Sequence, residues 1–109
     1  MTRKDLEFHG TSKSDLRDFP DDIRQDAGYQ LHCVQMGNDP AHWDSYPEIG
    51  SGVKEIKLRE GSDIYRVIYV AKFQDAVHVL HAFQKKDQET RKQDKKIAIN
   101  RYKKLVKRR

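Results

Sequence analysis

The chain has a single cysteine, Cys33. One thiol closes no intrachain disulfide and supplies no cysteine-based zinc cluster, so a reducing compartment is the natural setting. Long apolar runs are missing too: none approaches the ~20 residues that a membrane helix requires. The opening Met1-Thr2-Arg3-Lys4-Asp5 leads into no hydrophobic stretch, so no secretory signal is expected and a cytoplasmic location is. Apolar residues are scarce, at 36%, and charged residues are as frequent, at 36%. That composition predicts one small core under a charged skin rather than a disordered chain. A length of 109 residues excludes a multi-domain enzyme around a buried cofactor, and one domain over residues 1–109 is expected.

Catalytic motifs are absent as well. There is no G-x-S-x-G elbow and no glycine-rich phosphate loop. Five histidines are present, His9, His32, His42, His78 and His81, but no H-x-x-x-H, D-x-D or paired-carboxylate motif accompanies them. His78 and His81 are three apart on a predicted strand, which places them on opposite faces. Neither a metal site nor a cofactor is therefore expected. Cys33 falls beside the apolar stripe of a predicted helix and reads as a structural thiol.

What the chain does have is segregated charge. Residues 85–109 hold twelve basic and three acidic residues, a net of +9; the other 84 hold ten and fourteen, a net of −4. Such asymmetry suggests a polyanionic partner, most often nucleic acid. A solvated basic helix end is the plainer alternative.

The element order follows from periodicity. Residues 6–9 alternate weakly, as a short edge strand does. Ser12, with Asp15 three residues on, predicts a helix cap, and a short helix runs through Leu16 and Phe19. Pro20 opens a second helix whose first turn carries Asp21 and Asp22. Ile23, Ala27, Leu31 and Val34 give it a buried stripe, and Gly37 ends it. Gly28 inside it is either a mild penalty or a close packing point. Residues 38–52 read as a loop, with Trp43 and Tyr46 plugging the core edge. Three strands follow, at 53–59, 64–71 and 76–83. Their short connections imply antiparallel hairpins. Thr90 and Gln93 predict a capping box for a last helix, whose stripe is Ile97, Ala98, Tyr102, Leu105 and Val106. The fold class is α+β: an antiparallel sheet with two N-terminal helices and a C-terminal helix, all expected on one side of it.

One strand position is out of place. Arg66 lies mid-strand between Ile64 and Ile68, on their side of the pleat. A core strand holds guanidinium there only if it is paired or faces a cleft. A structural bridge to Glu55 or Glu60 is one reading. The other is a cationic site in which Arg66 joins Lys57, Arg59, Lys85 and Lys86. Such a site grips RNA phosphates, and it suits the metal-free attack of a 2′-hydroxyl on its own 3′-phosphate. That reaction takes a base for the hydroxyl, cations for the phosphorane and an acid for the leaving 5′-oxygen. Tyr65, Tyr69 and Phe83 could stack bases, but core packing is the expected role of each.

These residues carry a family pattern. Gly50-Ser51-Gly52-Val53-Lys54-Glu55-Ile56, then Tyr65-Arg66-Val67-Ile68-Tyr69-Val70, then Leu80-His81-Ala82-Phe83-Gln84-Lys85-Lys86 stand in order. Asp18-Phe19-Pro20, Gln35-Met36-Gly37 and residues 98–101 fit around them. The set resembles the HigB-like branch of the RelE toxin superfamily over roughly residues 12–105. The resemblance implies a RelE-like fold and the toxin of a type II toxin–antitoxin system. It implies a metal-independent endoribonuclease that cleaves mRNA in the ribosomal A site. It also implies a HigA-like helix-turn-helix antitoxin, the ribosome and mRNA as partners, and no membrane. By position, Arg66, Lys57, Lys85, Lys86 and His81 would be catalytic. Lys54, Arg59, Arg91, Lys92, Lys95 and Lys96 would contact RNA. The chain departs from the pattern at Glu55, where many relatives of RelE carry a lysine. It departs again at Asp87-Gln88-Glu89, where a proline is usual. A ParE-like gyrase poison and a non-enzymatic RNA-binding module are the rival readings.

Overall fold

The computed structural model describes residues 3–86 and 89–109; Met1, Thr2, Asp87 and Gln88 lie outside it. The order is β1 (Asp5–Phe8), α1 (Ser12–Arg17), α2 (Asp21–Gln35), β2 (Trp43–Ser45), β3 (Val53–Glu60), β4 (Asp63–Val70), β5 (Ala76–Lys85) and α3 (Lys92–Lys107). The strands form one sheet in the order β1-β5-β4-β3-β2. β2 to β5 pair antiparallel, whereas β1 lies parallel to β5, with Glu7 opposite His78. The central hairpin turns tightly between Glu60 and Asp63, where Gly61 supplies a φ of +59°.

The expected α+β class holds, but the helices are not all on one side. Leu16, Phe19, Ile23, Ala27 and Leu31 of the α1–α2 segment pack on Ile56, Leu58, Val67 and Val79. Ala98 and Leu105 of α3 pack on Val53, Ile68, Val70 and Leu80. The reason lies in the pleat. β4 and β5 carry apolar residues on both faces and are buried at nearly every position, so both sheet faces need cover.

Three local expectations are corrected. Residues 43–45, read as loop, form the short edge strand β2, with Trp43 paired to Ile56. Ser12 caps nothing: it is buried and donates to the Val79 carbonyl at 3.2 Å, while the Thr11 hydroxyl donates to Asp15 at 2.7 Å. The Thr90–Gln93 box is not used, because α3 begins at Lys92 behind an extended Arg91 with no side-chain cap. The α3 stripe also turns slightly. Ala98, Tyr102 and Leu105 face the sheet, and Val106 is 44% exposed.

A β-bulge overturns the expected orientation of the two strand histidines. Ile68 pairs with His81 and Tyr69 with Val79, so Leu80 is an extra residue in β5. The added residue shifts the alternation by one. His78, Leu80 and His81 therefore all lie on the α3 face: His78 opposite Val70, His81 opposite Ile68 and bonded to Asp94 of α3. Arg101 donates to the Leu80 carbonyl at 2.8 Å and satisfies it. Its guanidinium runs so close to Gly10, φ +56°, that a Cβ there would meet it at 2.5 Å.

Candidate active site

α3 covers only part of its sheet face. Beyond its reach the strands carry charge. Cross-strand pairing sets Lys57, Arg66 and Phe83 in one row, Glu55, Ile68 and His81 in the next, and Arg59, Ile64 and Lys85 on the other side of the first. Residues in such rows share a face, so β3 and β4 alternate as expected.

At the β3 edge, β2 stops short. Lys57 N–H donates to the His42 carbonyl at 2.9 Å, and β2 pairs only with residues 54–56. A cleft of about 500 Å³ opens there, lined by Asp26, His42, Lys57, Leu58, Arg59 and Arg66. Lys57 reaches it half-exposed, with Nζ held 2.6 Å from Asp44. Arg59 is exposed, on the same strand.

Arg66 makes the ion pair and also lines the cleft. Its Nε lies 3.3 Å from Glu55 Oε1, with both side chains 9% exposed, so the bridge is to Glu55 and not to Glu60. Nη1 donates to the Tyr65 carbonyl at 3.1 Å. Nε makes no hydrogen bond despite its ion-pair distance to Glu55, so of the five N–H donors only the one at Nη1 is engaged, which leaves others for an anion in the cleft that Arg66 lines. Glu55 Oε2 is buried with no partner. Burial raises the Glu55 carboxyl above its usual range, against the pull of Arg66, Lys85 and Lys57. The pair is thus a buried ion pair with imperfect geometry. Its desolvation is costly, and losing either partner strands the other.

The remaining expected site residues scatter. Lys85 shares the Arg66 face, one row further on, and Lys86 is exposed just past the end of β5. His81 does not line the cleft. Its Nε2 sits 2.8 Å from Asp94 of α3, and its ring stacks on Phe83 at 4.9 Å. Lys54 points to the opposite sheet face, bonded to Asp39 at 2.9 Å and over the Trp43 ring at 4.3 Å. Arg91, Lys92 and Lys96 are exposed at the start of α3, and Lys95 pairs with Glu48 at 2.9 Å. Tyr65, Tyr69 and Phe83 are buried in the core, as expected. His42 and Asp26 were not singled out from the sequence. His42 reaches the cleft because it immediately precedes β2 and its carbonyl accepts from Lys57 N–H.

A family model for "Phage derived protein Gp49-like (DUF891)" matches residues 14–103. The chain belongs to this Gp49-like family. It is a RelE/toxin-like family of toxin–antitoxin systems, which makes an antitoxin the implied partner. The match spans α1 to α3 and so includes every residue that lines the cleft. No curated protein matches the chain. Among the described residues, no helix is long and apolar enough to cross a membrane.

Proposed function

We propose that this Gp49-like chain is a toxin that cleaves mRNA in the ribosomal A site, as HigB-like members of the RelE superfamily do. The observation that carries the reading is the Lys57–Arg66 pair, side by side across β3 and β4 in an open cleft with Arg59. Three cations in one cleft suit a phosphodiester that gains negative charge as it reacts. The 2′-hydroxyl loses its proton and attacks the adjacent phosphorus. The phosphorane forms, and the 5′-oxygen leaves with a proton, giving a cyclic phosphate and a free 5′-hydroxyl. Arg66 holds non-bridging oxygens through the donors that Glu55 and Tyr65 do not occupy. Lys57 and Arg59 share the charge. His42 supplies a group in the same cleft that can exchange a proton. Lys85 and Lys86 extend the phosphate track along the sheet, and the exposed basic residues of α3 hold rRNA. The partners in this reading are the ribosome, its mRNA and a HigA-like helix-turn-helix antitoxin.

The test is induction of the gene alone and together with its neighbouring antitoxin. Growth and protein synthesis stop in the first case and resume in the second. Undiminished synthesis with soluble protein present contradicts the reading. One observation favours a rival: the buried Glu55–Arg66 bridge is what a non-enzymatic RNA-binding module would keep. That module binds ribosomes but leaves mRNA intact. A ParE-like toxin would instead block gyrase supercoiling.

A further inference from the structure

On the opposite edge of the sheet from the cleft, three ligand atoms converge. Glu7 and His78 are register partners across β1 and β5, and His9 follows β1 directly. Glu7 Oε2 lies 3.2 Å from His78 Nδ1, and His9 Nε2 lies 3.0 Å from the same nitrogen. One donor atom from each residue falls within 4.8 Å of the other two. His78 is fully buried, and Glu7 and His9 are half-buried. Whichever ring nitrogen carries the proton, His78 Nδ1 can be well hydrogen-bonded to only one of these two neighbours.

We propose that Glu7, His9 and His78 bind a zinc ion that clips β1 to β5. Two imidazoles and a carboxylate are a known zinc set, with a fourth position left to water. Nitrogen donors disfavour magnesium and calcium. Zinc bonds of about 2.0–2.1 Å in a tetrahedron hold ligand atoms about 3.3 Å apart, close to the two contacts at His78. The parallel pairing of β1 with β5 makes this cluster, which is why the linear spacing of the histidines hid it.

The C-terminal residues compete for it. Arg108 bonds Glu7 Oε1 at 2.6 Å, and Arg109 pairs with Asp75. Arg109 Nη2 also lies 3.1 Å from His78 Nε2. Guanidinium only donates, so this contact favours a His78 proton on Nδ1. Zinc needs the Nδ1 lone pair. On binding, the proton moves to Nε2, which faces Asp75 Oδ1 at 3.5 Å, and Arg109 withdraws. Asp75 then orients the ligand from behind, as carboxylates do behind zinc-bound histidines. Zinc binding and docking of the C-terminal arginines therefore oppose each other.

The test uses the untagged full chain, stripped with chelator and titrated calorimetrically with zinc alone; cobalt serves as the spectroscopic probe. One ion per chain is expected, with the visible bands of four-coordinate cobalt and a higher melting temperature. His9→Gln and Glu7→Gln should each weaken zinc at least tenfold while melting like the wild type without metal. Arg109→Ala should bind zinc more tightly. His78→Ala removes a buried side chain and can fail to fold, so the decision rests on the two outer ligands. Absence of stoichiometric binding, or equal binding by the wild type, His9→Gln and Glu7→Gln, overturns the site.

Discussion

Removing Arg66 should do two separable things. Glu55 is 7% exposed and Arg66 8%. Arg66→Ala leaves the Glu55 carboxylate buried without its counter-ion, with Oε2 already unpartnered. Breaking one side of a buried pair costs about 3–5 kcal/mol. Because burial already raises the Glu55 carboxyl, uptake of a proton limits the loss, and the lower end is expected. At this chain length, about 3 kcal/mol lowers the melting temperature by roughly 15 °C. Replacing both partners with apolar groups of similar volume is different: buried pairs so replaced are often neutral or gain about 1–4 kcal/mol. Glu55→Leu with Arg66→Met should therefore melt at or above the wild type. It should still lose mRNA cleavage by about 10²–10³-fold, the worth of one transition-state donor. Thermal melting is run beside cleavage mapping in translated mRNA. If Arg66→Ala melts like the wild type, the ion-pair argument is wrong. If the folded double variant cuts at the wild-type rate, Arg66 is structural only.

Glu55→Gln alone tests the sign of the pH linkage. A raised native pKa means the term is fully present below the ordinary carboxylate range and is lost as pH rises through the native value. The wild type should therefore lose stability relative to Glu55→Gln as pH rises from acid toward neutral, and a difference that grows the other way refutes the raised pKa. His42→Ala should slow cleavage by about 10²–10⁴-fold if it moves a proton, with ribosome binding unchanged in a sedimentation assay. Substituting Gln for Lys92, Lys96 and Lys103 should flatten the log–log salt dependence of ribosome binding by about 2 units, at about 0.7 per phosphate contact; an unchanged slope places the contacts elsewhere. A Cβ at Gly28 in α2 would meet nothing within 4 Å, so Gly28→Ala should stabilise by about 0.5–1 kcal/mol in chemical denaturation.

Most of the fold was legible because its signals are local. The stripe Ile23–Ala27–Leu31–Val34, the alternation of β3 and the Glu60–Asp63 turn each sit within a few residues of one another. Arg66 was legible as an anomaly for the same reason: a charge in an apolar strand stands out. Its partner was narrowed to two acids but not chosen, because register decides it, and register sets Glu55 beside it while Glu60 pairs with Asp63 at the turn. What escaped depends on long-range pairing. β2 is three residues that form a strand only because β3 is there to bond them. The bulge at Leu80 puts His78 and His81 on one face, and nothing in the strand's own composition marks it. The Glu7–His9–His78 cluster joins positions about seventy residues apart through a parallel pairing, and the His42 wall of the cleft depends on where β2 ends.

The central claim is that the cleft around Lys57 and Arg66 breaks translated mRNA. The most direct measurement is primer extension on a defined mRNA incubated with purified chain, with and without translating ribosomes. Cuts within the reading frame are expected only when ribosomes translate, and they should vanish with the stable Glu55→Leu, Arg66→Met variant. Intact mRNA under translation with folded chain in excess, or equal cutting by that variant, would contradict the account.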